Sequence, residues 1–463
     1  MSLFTRSARP SVLEQLATDL DGVLVQPDDD AWDAARQAWQ LAVDQRPVAV
    51  VHARSARDVA QTLLAASRLG LQVAPQGTGH NAAPLGDLSG SILLRTSEMR
   101  SVHIDPLHRV ARVEAGALWM DVTGAAAEHG LVALAGSAAD VGVVGYTLGG
   151  GLSWLGRSHG LAANSVVAIE VVTADGRMRR VDEQHDADLF WALRGGGGSF
   201  AVVTAMEFRL YPLTELYAGV LFFPLERTGE VLEAWRRWLP SVPDEVTSVG
   251  RVLRFPPLPD LPPHLSGRSY VVVEVASQLD ERDSEALLAP LRALGPELDT
   301  CATIPTTALA MLHMDPDGPV PAYGDGLLVG ELTAETVDAL VRVAGPGSDL
   351  PLLSVELRQL GGELTPGRTP GGALGGIDAG FAAFAVGVVP FPEAMEPVQG
   401  AVAAVQHALA PWATGGAYLN FAERPKDGDA LFGAEVHRRL AQVKAAYDPH
   451  DVIRANHRVH AAR

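Results

Sequence analysis

The sequence predicts an α+β protein of two domains, and three observations carry that prediction. Residues 48–75 run from an apolar strand pattern through an amphipathic helix to a second strand, a β-α-β opening typical of cofactor domains. Residues 219–389 alternate strand and helix patterns with fewer glycine clusters, which describes an antiparallel sheet with helices on one face. The chain, at 463 residues, is also longer than one hydrophobic core usually serves. The expected divisions are residues 1–212, 213–410 and a C-terminal segment 411–463.

Composition narrows the function. Apolar residues make up 47% and charged residues 20%, a globular balance without room for a long disordered tail. The net charge of −19 argues against nucleic acid or an anionic membrane surface as partner, because either needs a basic footprint. One cysteine, Cys301, rules out an internal disulfide and a multi-cysteine metal site. Residues 1–15 carry arginines but no apolar h-region, so no signal peptide is expected. No apolar run reaches the roughly 20 residues of a membrane span. The expectation is a soluble, acidic, cytoplasmic protein, a monomer or homodimer.

Taken in order, residues 30–43 suggest a helix, with Trp32, Ala35, Trp39 and Leu41 or Ala42 at helical spacing behind the possible caps Asp28, Asp29 and Asp30. Residues 48–51 read as a buried strand. Residues 55–69 form a helix capped by Ser55 and closed by Gly70. Residues 71–75 are a strand that delivers Gln76-Gly77-Thr78-Gly79-His80-Asn81. Gly77-x-Gly79-x-x-Ala82 fits the fingerprint of a nicotinamide- or flavin-binding βαβ unit. Such a turn opens a helix whose N-terminus faces the pyrophosphate. Residues 81–90 hold Pro84 and several turn formers, so no useful helix can follow. The nicotinamide reading fails, leaving two glycines that admit a ligand close to the backbone and a histidine behind them.

Strand patterns follow at 91–96, 101–104 and 110–114, then a helix over 118–129 ending at Gly130. Residues 136–151 are glycine-dense, nearly uncharged and alternate valine with glycine, which a polar linker would not. A large ligand bonded by glycine N–H groups explains them better. A hairpin is expected over 166–181, turned by Ala174-Asp175-Gly176, for which Asp-Gly suits a type I′ turn. A short helix, 188–194, runs into four glycines and the strand 200–210. The second domain reads as strands at 219–223, 249–255, 270–276, 352–360 and 381–389, with helices at 229–238, 281–294 and 394–409. The loop 255–263 is too proline-rich for either element. A last helix, 435–447, stops at Asp448-Pro449, and the tail 452–459 must dock elsewhere because it has no core of its own.

Several stretches together resemble the berberine-bridge-enzyme-like branch of the vanillyl-alcohol-oxidase (PCMH-type) flavoprotein family. They are Gly77-Thr78-Gly79-His80-Asn81; Val141 through Leu155; His159-Gly160-Leu161-Ala162-Ala163-Asn164; Val171 through Gly176; Asp188 through Phe200; Gly416 through Phe421; and Tyr447-Asp448-Pro449 with Arg454-Ala455-Asn456. The likeness runs nearly the whole chain in the family's order and looks closest to bacterial members with one covalent flavin bond. It implies a two-subdomain FAD-binding domain, a substrate domain, and a C-terminal segment returning to the FAD domain. It also implies that His80 bonds the flavin 8α-methyl, making the flavin a stronger hydride acceptor. The cofactor-binding set it implies is Gln76, Gly77, Thr78, Gly79, His80, Asn81, Gly136, Ser137, Val141, Gly142, Gly145, Tyr146, Gly149, Gly150, Asn164, Val202 and Asn456.

Departures from the family pattern fall on the substrate side. The cysteine that gives many relatives a second flavin bond is Ala138, so His80 is expected to be the only tether. The family's tyrosine before Gly-Leu-Ala is His159, a titratable replacement. Gly361-Gly362 are present, but the stretch that usually follows is unrecognisable at 373–377, and the last common asparagine is Arg458. For catalysis, Tyr418 matches the family's base, a tyrosine of lowered pKa, and could equally be a packed aromatic. Glu356 could reach the pocket or face solvent, which strand alternation alone does not decide. Histidine spacing offers no zinc site, and no Gly-x-Ser-x-Gly supports a hydrolase. The expectation is an FAD-dependent oxidase of a small or secondary-metabolite substrate, with molecular oxygen as acceptor. The alternatives are a dehydrogenase or oxygenase on the same fold, or a binder of FAD or a metabolite without turnover.

Overall fold

The computed structural model describes residues 11–259 and 261–462. Residues 1–10, most of the stretch read for a leader, and Asp260 of the proline-rich loop lie outside them. A four-stranded sheet comes first, in the order Val23–Val25, Ala49–His52, Ser91–Arg95, Gln72–Gln76, its last three strands parallel. The helix Ala56–Leu69 covers it. The Ser55 hydroxyl accepts from the Asp58 amide, and Gly70 closes the helix at φ 69°. Val59, Leu63 and Ala66 bury against Val51, Ile92 and Leu94, as the helical spacing predicts. An antiparallel five-stranded sheet follows, ordered Val102–Asp105, Val110–Glu114, Val202–Arg209, Val166–Val172, Met178–Val181.

Residues 215–388 build an eight-stranded antiparallel sheet. Alternation along its strands sends Val271, Val273 and Val275 into a core with the helices Thr228–Trp238, Ala334–Ala344 and Met395–Leu409. Tyr270, Val272 and Ala276 take the opposite face and pack on Leu134, Trp154 and Leu155 of the first domain. The sheet therefore has one face on its own helices and one on the glycine-rich half. The architecture is the α+β arrangement the sequence predicts.

Four elements differ from expectation, each for a physical reason. The helix expected over 30–43 is only Trp32–Arg36, because the chain beyond it is drawn to the histidine loop: Trp39 N–H bonds the Thr78 carbonyl and Gln40 N–H that of Gly79. The glycine-dense segment contains a short helix, Val143–Leu148, carried by buried Val143, Val144 and Thr147. The hairpin turn is not type I′: only Gly176 has positive φ, and Thr173 pairs with Arg177 across a three-residue loop. The strand Ala322–Val329 was hidden by Gly324, Asp325 and Gly326. A Cβ at Gly324 would lie 2.5 Å from the Phe384 ring, and one at Gly326 2.7 Å from Phe421.

The tail docks on the first domain. Val73 N–H bonds the Val452 carbonyl at 2.7 Å and Arg454 N–H returns to Val73 at 2.8 Å, alongside the strand Gln72–Gln76. Buried Lys444 holds the approach through Asp448 at 2.6 Å and the carbonyls of Ser199 and Ile453. Among the described residues no helix is long and apolar enough to cross a membrane.

Candidate active site

Two loops converge on His80. The strand Gln72–Gln76 ends with Gln76 in a reciprocal amide pair with Gln45, at 2.9 and 3.1 Å. That pair fixes the turn, and Gly79, at φ 90°, lies so close to Ala38 that a Cβ there would be 2.9 Å from it. The second loop arrives at Asp140–Gly142, and Gly142 faces the Thr78 side chain. The His80 ring stacks on Trp39, with centroids 3.8 Å apart and planes at 22°. Its Nε2 lies 3.3 Å from Asp140 Oδ1, while Asp140 Oδ2 accepts from Trp39 Nε1. Burial would raise the Asp140 carboxyl, but His80 and Trp39 outweigh it and hold it below its ordinary value. Asn81 donates to the carbonyls of Leu419 and Ala422, tying the motif to the C-terminal segment.

The glycines of residues 136–151 divide into two kinds. A Cβ at Gly145 meets nothing, and one at Gly142 meets only Thr78. Gly136, Gly149, Gly150 and Gly151 are instead packed by protein: the Tyr146 ring lies against Gly136 and Gly151, Asn420 against Gly149, and Tyr418 and Leu374 against Gly150. The Tyr146 hydroxyl donates to the Leu134 carbonyl at 3.2 Å. Asn420 joins the two tyrosines, donating to the Tyr146 carbonyl at 2.9 Å and the Tyr418 hydroxyl at 3.2 Å.

Tyr418 is buried, edge-on to Phe421. The expected lowering of its pKa is not found. Burial drives it well above the ordinary phenol value, and Asn420, the Gly151 and Leu152 backbone and the Arg358 charge only partly oppose that. Glu356 faces the first domain, but it is not free to take a proton. It bonds Arg358 at 2.6 Å and His313 at 2.7 Å, and these cations hold it far below the carboxylate range despite burial. His313 in turn bonds Glu274 at 2.6 Å, and Arg251 joins Glu274, Ser354 and the His313 carbonyl. This is a closed ion network beneath the site. His159 stacks on Tyr211 with ring centroids 4.1 Å apart, and burial lowers its pKa.

Other expected residues are placed more plainly. Ser137 gives its hydroxyl to Asp315 at 2.8 Å. The Val141 carbonyl receives the Trp119 amide. The Val202 side chain lies in the core between the first two sheets, so it offers a ligand only its backbone. Asn456 accepts from the neighbouring His457 amide. Cys301 packs on the helix side of the large sheet, its thiol pushed up to about 12 by burial.

Trp39, Asp140 and the partners of Glu356 escaped sequence reasoning. Trp39 was assigned to a helix face, and Asp140 lies 101 residues away from it. Glu274 and Arg251 did leave a signal, a charge at an inward position of an otherwise apolar strand.

The residues present fit a flavin dinucleotide. Asn81 Oδ1 and both amide atoms of Asn164 are buried without a hydrogen-bond partner among the described residues, His80 Nε2 and Asp140 Oδ1 face each other at 3.3 Å, and Gly142 and Gly145 leave backbone uncovered. A family model described as an FAD binding domain matches residues 47–182, and one described as berberine and berberine like matches residues 417–460. (R)-6-hydroxynicotine oxidase of Paenarthrobacter nicotinovorans is 28% identical over 96% of this chain and 98% of its own. With further relatives the chain spans about half of their length. The crystal structure of 6-hydroxy-D-nicotine oxidase from Arthrobacter nicotinovorans is 26% identical, with a TM-score of 0.82 over 98% of this chain and 99% of that one. A glucooligosaccharide oxidase from Acremonium strictum, whose structure is described by its 6-S-cysteinyl, 8α-N1-histidyl FAD, shares the fold at 23% identity, TM-score 0.81, covering 98% of this chain and all of that one (100%).

Proposed function

The chain belongs to the berberine-bridge-enzyme-like FAD-linked oxidoreductases of PCMH-type fold, and from there we propose an oxidase whose flavin is tethered once, through His80. The observation that carries this reading is the His80 ring held where two loops meet, with the neighbouring Asn81 Oδ1 buried and without a hydrogen-bond partner among the described residues. FAD held at His80 would supply a two-electron acceptor, with molecular oxygen as the terminal acceptor and hydrogen peroxide as the product. Ala138 has no thiol to offer and Cys301 packs on the far side of the large sheet, which supports a single tether.

The chain's own residues supply the pocket. Leu152, Leu161, Leu328, Leu360 and Ile377 surround Tyr418 with apolar surface that excludes water. Tyr418, held as a neutral phenol, donates to or shares a proton with the reacting heteroatom. A neutral phenol suits an amine, whose nitrogen already carries a lone pair, better than an alcohol that must first be deprotonated. The full-length likeness to 6-hydroxynicotine oxidase supports the same order of preference. We therefore place cyclic amines ahead of sugars and alcohols as substrates.

Two measurements test this. Acid-precipitated protein should keep its yellow colour, and His80→Ala should lose it completely; a colourless wild-type pellet sinks the tether. Peroxide release over a panel of cyclic amines, sugars and alcohols should favour amines, and none from any class, with reduction of an artificial dye instead, would make the protein a dehydrogenase.

A further inference from the structure

We propose that Asp140 is a positioning residue for the flavin tether, acting through His80. The proposal rests on the reading of His80 as that tether. Three segments distant in sequence meet here. Trp39 covers one face of the His80 ring, Asp140 stands at its Nε2 edge, and Trp39 Nε1 holds the second Asp140 oxygen. The assembly is itself held by backbone, since Trp39 and Gln40 donate to the carbonyls of Thr78 and Gly79. Were Asp140 present only to satisfy Trp39, one oxygen would suffice. Its other oxygen is buried, 3.3 Å from a buried imidazole nitrogen, and neither atom has a hydrogen-bond partner among the described residues. A small rotation of the ring turns that approach into an N–H···O bond.

The consequence is chemical. A carboxylate at Nε2 keeps the imidazole proton on that nitrogen, so the lone pair sits on Nδ1. That nitrogen has no hydrogen bond to the described residues. In the tethering step the Nδ1 lone pair forms the C–N bond to the flavin 8α carbon, a proton leaves that carbon, and two electrons pass into the flavin ring; molecular oxygen, with two protons, removes them as hydrogen peroxide. Nε2 keeps its proton throughout, so the alkylated ring is an imidazolium, and Asp140 neutralises it across 3.3 Å. Asp140 thus serves twice, by selecting the nitrogen and by balancing the charge that its alkylation creates.

The test uses full-length protein produced under riboflavin limitation and then mixed with FAD. Covalent adduct is followed by intact mass, FAD binding by quenching of its fluorescence, and folding by thermal melting. Asp140→Asn should bind FAD and melt as wild type does, yet gain the adduct at least tenfold more slowly. Trp39→Phe, which keeps the stacking and loses the N–H, should slow it about threefold. Adduct formation by Asp140→Asn at the wild-type rate overturns the role of Asp140 and leaves the tether reading intact. Wild type that binds FAD without gaining mass overturns the tether reading itself. If Asp140→Asn fails to fold, Trp39→Phe decides, and an unchanged rate there overturns the proposal.

Discussion

Two polar regions of this molecule are built on opposite rules. Around His80, Asn81 Oδ1 is buried without a hydrogen-bond partner among the described residues, His80 Nε2 and Asp140 Oδ1 have only each other, and Gly142 and Gly145 leave backbone uncovered. On the inward face of the large sheet, Arg251, Glu274, His313, Glu356 and Arg358 are as deeply placed, yet every one of them is paired. Burying an unpartnered polar group costs free energy, so a fold keeps one only where something else completes it. The first region is unfinished protein that a ligand finishes, and the second is finished protein that supports it. Glu356 lies in the second, which is why it is a poor base although it faces the right way.

Four substitutions break or sharpen this contrast. The largest effect belongs to the finished region. Arg251→Leu takes a cation from the buried Glu274 carboxylate and the donor from the His313 carbonyl, and should destabilise the fold by about 3–5 kcal/mol in denaturant titration. Next, Tyr418→Phe should retain its flavin and its melting temperature while kcat falls by roughly 10²-fold. A stability loss as large as that of Arg251→Leu would move Tyr418 to the structural class. Third, Gly145→Ala lies on a helix with open space at its Cβ, so the flavin-free protein should gain about 0.5–1 kcal/mol. FAD affinity should nevertheless drop, and unchanged affinity would remove Gly145 from the ligand surface.

The smallest effect concerns Glu423, an acid of the C-terminal segment whose pKa is raised. Burial pushes it up to about 8, with the charge of Asp325 adding to the rise and the Gly324 N–H opposing it. A carboxyl raised on folding stabilises the native state at low pH and loses that contribution as pH climbs through its folded value. Wild type should therefore lose melting temperature between about pH 5 and 8 relative to Glu423→Gln, and parallel curves for the two proteins would refute the assignment.

The same contrast explains what the sequence disclosed. Local order was legible: the β-α-β opening, the capped helix Ala56–Leu69 and five strands of the large sheet follow from periodicity and from Ser55 and Gly70. The histidine loop was legible because glycines and a proline exclude the competing helix. Long-range completion was not. Nothing near Glu356 announces His313 or Arg251, and residues 30–43 look helical until the carbonyls of Thr78 and Gly79 recruit Trp39 and Gln40. The glycines were read as space for a ligand, whereas four of them make room for Tyr146, Asn420 and Tyr418.

The strand Gln72–Gln76 gains its outer contacts from residues almost four hundred positions later: Gln72 bonds Asp451 across 379 residues, and Val73 pairs beside Ile453. During synthesis the histidine loop is made early and waits, its supporting strand open along one edge, until the segment carrying Lys444 and Ile453 leaves the ribosome. Cofactor loading should thereby wait until that segment is made. A ribosome stalled before residue 450 should display a nascent protein that binds flavin poorly, however well its first domain has begun to fold.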